Sequence, residues 1–389
     1  MCGNSKPIKE LQIVAMATDP IYIGTGGYTI GRVDNTIVRD PITNIPKIPG
    51  SSLAGTWRYY ETLEAIKDLK DKLPNWDDIK NETGNTIGEK LENYNWKHLN
   101  NNPPEDWKGF IGNQVIKITC AGQDNIPQEE LANSPFATNP EGKTGHCGHC
   151  IVCKGFGFSK KDISWQGMIF FSDLNILLFP VFTMRGTKWI TTVRKLKEIS
   201  INGLTEPTDN KVLTKNGDEG YINLGWIYLE VDNTHTFNSL KTEFNFDNFQ
   251  LNDKDIVIVP EELFSHIVNS NLEVRTSVSI DPITGAAKER ALFTSEAIPR
   301  GTIFYGKIRI FDKSGLEGIE NKSGPLPKAD LLEKALRESK HFYETLGIGG
   351  MTTRGFGRMK VNIPGGNNTQ ADKKNNNTAE EKDEQSTNK

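Results

Sequence analysis

The stretch "GMIFFSDLNILLFPVF", residues 167–182, constrains the fold of this 389-residue chain more than any other. It carries too many apolar and aromatic side chains for a surface segment, and reads as two core strands around Asp173. Other elements fall into place around it. Residues 10–18, "ELQIVAMAT", read as a strand. Residues 51–73 begin with serines and space Leu53, Trp57, Tyr60, Leu63, Ile66 and Leu69 as one apolar helix face. "GTIFYGKIRIF" at 301–311 alternates as a strand, and "KADLLEKALRESKHFYETL" at 328–346 reads as a second amphipathic helix. Strand, helix, strands, strand, helix is the order of a ferredoxin-like α+β unit.

The length allows a sizeable core in one elaborated domain or two ordinary ones. The last 26 residues, 364–389, have too little apolar surface to offset ordering entropy and read as a disordered tail. Residues 74–108 are polar but carry three tryptophans, which marks them as an ordered insertion. No stretch reaches 18 apolar residues, the N-terminus lacks a signal-peptide core, and Cys2 stands where myristoylation needs glycine. The expectation is a soluble, cytoplasmic protein without membrane contact. Lys and Arg total 46 against 50 Asp and Glu, so any nucleic-acid contact has to come from local clustering.

Three of the five cysteines fall within seven residues, "HCGHCIVC", as Cys147, Cys150 and Cys153. This close array suits tetrahedral Zn²⁺ better than a disulfide framework, with a redox pair or free thiols as the alternative. Three sulfurs need a fourth ligand, for which Cys120 and His146 compete. A closed four-ligand site of this kind is structural.

Three stretches could meet RNA. In "IPGSSLAG", 48–55, Gly50 allows close backbone approach while Ser51 or Ser52 can cap the following helix; its free amides suit a phosphate, although an ordinary capped helix reads the same way. "GIGGMTTRGFGR", 347–358, sets five glycines beside Arg354 and Arg358, with Phe356 as a stacking surface. "VFTMRGTKWITTVRKLKEIS", 181–200, interleaves Arg185, Lys188, Arg194, Lys195 and Lys197 with Trp189, which fits a bound single strand or simply a solvated helix face. "RDPITN" at 39–44 and "IDPITG" at 280–285 echo each other as two similar tight turns, each ending on a residue suited to left-handed backbone.

Taken together, the segments 21–58, 167–192, 273–306 and 347–358 resemble the RAMP superfamily of CRISPR proteins, most closely the backbone nuclease subunit of type III (Csm or Cmr) effector complexes. The resemblance spans most of residues 10–362. It implies a single domain over 1–363 with a modified ferredoxin-like palm, insertions at 74–108 and 120–160 (the latter zinc-binding), and a thumb-like hairpin at about 271–300. It further implies copies stacked in a filament along a CRISPR guide RNA, other type III subunits as partners, and complementary target RNA as substrate. The aspartate of "GRVDN", Asp34, matches the residue implicated in cutting, where a carboxylate can hold Mg²⁺ or Mn²⁺ or orient the attacking 2'-hydroxyl; without the resemblance it reads as a turn residue. The guide would lie against Gly50, Ser51, Ser52, Arg58, Arg185, Lys188, Gly349, Gly350, Arg354 and Arg358. Tyr22 stands where relatives often carry His, and Glu289 falls near their acidic thumb residue. The cysteine cluster is closer to the Csm type and "LLFPVFTMRGTKWIT" to the Cmr type. A non-cutting structural subunit, or an unrelated zinc-containing RNA-binding protein, are the competing expectations.

Overall fold

The computed structural model describes residues 7–26, 33–69, 81–85, 90, 107–122, 145–159, 164–207, 210–215, 220–232, 245–246, 249–316, 318–319 and 324–365. In chain order the elements are β1 (Ile8–Ala17), β2 (Lys47–Ile48), α1 (Gly50–Leu69), α2 (Ile151–Phe156), β3 (Gly157–Ser159), β4 (Ser164–Gln166), β5 (Ile169–Phe171), β6 (Leu174–Thr183) and β7 (Gly186–Thr191). There follow α3 (Val193–Glu198), β8 (Lys211–Thr214), β9 (Tyr221–Leu224), β10 (Ile227–Val231), β11 (Asn245–Phe246), β12 (Phe249–Gln250), β13 (Ile256–Ile258) and α4 (Glu261–Ser270). The chain continues through β14 (Glu273–Ile280), β15 (Ala287–Ala297), β16 (Ile303–Phe311), α5 (Ala329–Ser339), α6 (Phe342–Thr345) and β17 (Met359–Asn362).

One mixed sheet of 11 strands organises the molecule, in the order β17-β1-β16-β6-β7-β13-β8-β10-β9, with β2 on β6 and β5 on β16. From β17 to β7 every neighbour is antiparallel, whereas β13 runs parallel to β7 and β10 parallel to β8. The apolar run at 167–182 splits as its sequence requires, into β5 and β6 around Asp173. Alternation along β1 sends Ile13, Ala15 and Ala17 into the core shared with α1 and α5, while Val14 and Met16 enter a second core with Val193 and Leu196 of α3.

Helix α1 buries Leu53, Trp57 and Tyr60 against α5 and α6. Its start differs from expectation. Neither serine caps it: Ser51 is exposed, and the Asp173 carboxylate accepts from the Gly50 amide at 2.8 Å. Gly50 itself is required because a Cβ there would meet the Phe171 carbonyl oxygen at 2.8 Å, so its close approach is to the β5–β6 junction. The helix expected over 328–346 breaks at Lys340 and His341 into α5 and α6. The Trp57 indole donates to the Leu336 carbonyl and to Ser339 Oγ, and Tyr343 and Glu344 turn back to Lys340 and His341 with three-residue spacing. Of the tryptophans in 74–108, Trp107 is buried and donates to Glu338. Trp76 and Trp96 lie outside the described residues, as do residues 70–73, the middle of 120–160 and the tail from 366. Among the described residues no helix is long and apolar enough to cross a membrane.

Candidate nucleic-acid interface

Four cysteines from three turns of chain converge beside α1. The sulfurs of Cys120, Cys147, Cys150 and Cys153 lie within 4.8 Å of one another, and Cys147 and Cys153 are 3.9 Å apart. Around a tetrahedral Zn²⁺ with Zn–S of about 2.3 Å, sulfurs would be about 3.8 Å apart. A disulfide needs about 2.05 Å. Backbone amides of His149 and Cys150 point at the Cys147 sulfur, and that of Cys153 at Cys150. This donor set fits zinc. Of the two contenders for the fourth place, Cys120 joins the cluster, while His146 Nδ1 faces the Arg58 guanidinium at 2.8 Å. Arg58 also donates to the carbonyls of Cys120 and Gly157, both at 2.7 Å. Its guanidinium thus ties α1 to both chain segments that supply the sulfurs.

Asp34 sits where it and Asn35 dock along β15. Its Oδ2 accepts from the Thr294 amide at 2.7 Å and from the Thr294 hydroxyl at 2.9 Å, while Asn35 bridges to Ser295. The Thr294 amide is the main reason that the carboxyl titrates below its ordinary value. The side chain is exposed, and Oδ1 has no hydrogen-bond partner among the described residues. Asp34 is therefore a clamped carboxylate with one oxygen open to solvent. The strand that clamps it, β15, pairs antiparallel with β14 as a hairpin. Its turn repeats the one at 40–45: Asp40 accepts from the amides of Ile42 and Thr43, and Asp281 from those of Ile283 and Thr284. Asn44 and Gly285 close the two turns with positive φ. Glu289 lies in β15, with its side chain outside what is described.

The glycine-rich loop after α6 locks onto the first loop of the chain. Gly349 has φ +83°, and a Cβ there would collide with the Tyr22 carbonyl, which accepts from the Gly350 amide at 3.0 Å. These glycines serve this interlock. Phe356 is buried, with the Arg275 guanidinium 4.7 Å above its ring and Tyr22 edge-on at 6.4 Å, so its ring is not a free stacking surface. Arg358 forks onto both oxygens of Asp19. Arg354 is exposed and lines a cleft of about 590 Å³ with Ser277, Ser279 and Phe293 of the hairpin. Phe293 directly precedes the Thr294 that holds Asp34.

The basic cluster at 181–200 divides between functions. Lys188 binds Asp255 and the Lys254 carbonyl, both at 2.9 Å, and Trp189 donates to Gly301 while packing edge-on against Phe249. Lys195 lies over Phe264. Arg185 and Arg194 are exposed. Sequence reasoning overlooked Thr294, Asp19, Arg275 and the capping by Asp173. Only Asp173 carried a signal, as the lone charge inside the apolar run.

The fold is similar to that of the cryo-EM structure of type III-B Cmr-beta in the apo state, with 13% identity and a TM-score of 0.49 over 91% of this chain and 97% of that one. The Cmr-beta structure bound to cognate target RNA gives 14% and 0.49 over 91% and 97%. A crystal structure of oligomeric Cmr4 from Pyrococcus furiosus gives 15% and 0.45 over 92% and 99%. No curated protein sequence matches. A family model of the RAMP superfamily matches residues 15–360, from within β1 into β17, and on that match the chain belongs to the RAMP superfamily.

Proposed function

We propose that the chain is a guide-RNA-binding backbone subunit of a type III CRISPR effector complex and cleaves complementary target RNA through Asp34. The observation that carries this reading is the clamped carboxylate on the β14–β15 hairpin, one oxygen tied to Thr294 and the other without a partner among the described residues, on a hairpin that also lines a cleft with the exposed Arg354. The strand order β17-β1-β16-β6, joined in sequence as β1-α1-β6-β16-α5-β17, supports a ferredoxin-like palm. In this reading residues 1–363 are one domain with insertions at 74–108 and 120–160, β14–β15 is the thumb, and the four cysteines hold a structural zinc. The complex works in the cytoplasm, with further copies of this chain and other type III subunits as partners.

Cleavage would proceed by in-line attack of the 2'-oxygen on the adjacent phosphorus. The O2'–P bond forms, the P–O5' bond breaks, the hydroxyl proton leaves to solvent and the 5'-oxygen takes one up, leaving a cyclic phosphate. A carboxyl held below its ordinary pKa is a weak base at neutral pH. Asp34 is accordingly assigned to orienting the 2'-hydroxyl or holding a divalent cation through Oδ1. A bound Mg²⁺ or Mn²⁺ would supply neutralisation of phosphate charge. Arg354 and Arg185 are the side chains best placed for backbone phosphates, while Gly349 and Gly350 hold the loop that carries Arg354 against Tyr22.

A second reading, a non-cutting subunit in which Asp34 only pins the hairpin, is favoured by the two bonds to Thr294. Asp34→Ala in the chain assembled with guide RNA separates the two. We expect cleavage to vanish with guide retention and complex size unchanged. Cleavage at the wild-type rate in a well-assembled variant complex would refute the catalytic assignment.

A further inference from the structure

The outer face of the β9–β10 hairpin is aromatic where a solvent-facing hairpin is ordinarily polar. Its inner face is satisfied, with Ile222, Leu224, Leu229 and Val231 buried. Outside, Trp226 is 88% exposed, Tyr228 62% and Tyr221 59%, and the neighbouring β6–β7 turn adds Phe182 at 72% and Met184 at 79%. These side chains form one patch. The Gly225 amide donates to the Phe182 carbonyl at 3.1 Å, the Met184 amide to Asn223 at 2.8 Å, and the rings of Tyr221 and Tyr228 lie 6.2 Å apart.

The patch adjoins the RNA-facing surface. Gly225 presses so closely on Asn271 that a Cβ there would collide with its side chain, and Asn271 stands two residues before β14. The patch therefore meets the start of β14, the strand paired with the one that holds Asp34. Arg185, exposed on the β6–β7 turn, adds positive charge at the rim. Four open rings, with the exposed Arg185 on the same turn as Phe182, suit the flat faces of unpaired bases on a single strand.

We propose that Trp226 and Tyr228 form a stacking platform for unpaired nucleobases, which carries the RNA path past the hairpin. This inference rests on the RNA-binding reading above. Stacking neutralises no phosphate, so it leaves the salt slope alone.

The test measures affinity of the full-length chain for a single-stranded uridine homopolymer, and for an abasic RNA of equal length, across a salt series. Trp226→Ala/Tyr228→Ala is expected to lose roughly 5- to 100-fold in affinity for the homopolymer. Its salt slope and its affinity for abasic RNA should match wild type, and Trp226→Phe should retain most of the binding. Wild-type binding by the double variant would overturn the platform and leave the RNA-binding reading standing. A wild-type chain that binds neither RNA would overturn both. A variant that loses self-association with RNA affinity intact would make the patch a protein interface and overturn the proposal.

Discussion

Thr294 gives Asp34 two donors, one of which can be removed without touching the backbone. Thr294→Val deletes the hydroxyl and keeps the amide, so the Asp34 carboxyl should titrate closer to its ordinary value. The sign follows from the direction of the native shift. A carboxyl held low contributes stability above the ordinary value of 3.8 that is lost as pH falls through its folded value. Weakening the clamp therefore moves the acid limb of a cleavage–pH profile to higher pH, with assembly unchanged; an unmoved acid limb would show that the clamp does not tune this group. Asp40, lowered to about 2 by its turn amides, is the internal comparison and should not respond. The sequence disclosed both Asp-Pro-Ile-Thr turns because those depend on residues a few positions apart, whereas Asp34 was singled out only through the family resemblance. It could not disclose Thr294, which lies 260 residues from its partner. The same distance problem hid the fates of Arg58 and Lys188: as charges they look alike in sequence, and only the fold commits them to carbonyls and Asp255.

At the scale of elements, α1 was legible from its apolar spacing, and its interruptions elsewhere were not. The end of α5 is capped by an indole from another helix, so Trp57→Phe should cost about 1–2 kcal/mol by leaving buried Leu336 and Ser339 groups short of a donor, measured by denaturant unfolding. The glycine loop offers a sharper case. Gly349→Ala adds a Cβ to a left-handed backbone facing the Tyr22 carbonyl, and should destabilise the chain by about 2 kcal/mol or more, whereas Gly315→Ala, with open space around it, should not. The cysteine cluster holds together a helix, two loops and Arg58. About one zinc per chain is expected on elemental analysis. Cys150→Ser should lower folding yield and zinc content together, because ligand binding energy supports the local fold. Zinc-free, fully folded wild-type protein would refute the assignment.

For the molecule as a whole, the measurable quantity is the salt dependence of RNA binding. Arg358 is already forked onto Asp19, and Arg354 faces an open cleft, so the two arginines should not contribute equally. Arg354→Ala is expected to flatten the slope of log affinity against log salt by about 0.7, one single-strand phosphate's worth, uniformly across guide sequences, and Arg358→Ala by less. A loss confined to particular guides would mean that Arg354 reads bases. Strands β1, β5, β6 and β16 were foreseeable from alternation and order; β17 and the extension through β7, β13, β8, β10 and β9 were not, because those strands are short or pair across insertions. The interlock between the loop at 347–358 and Tyr22 has a bearing on how the protein is made. At synthesis rates of about 5–20 residues per second, roughly 16–65 s separate the emergence of Tyr22 from that of Gly349. Asp19 waits as long for Arg358, 339 residues downstream. A nascent chain still on the ribosome thus lacks this interlock until the residues up to Arg358 have been made.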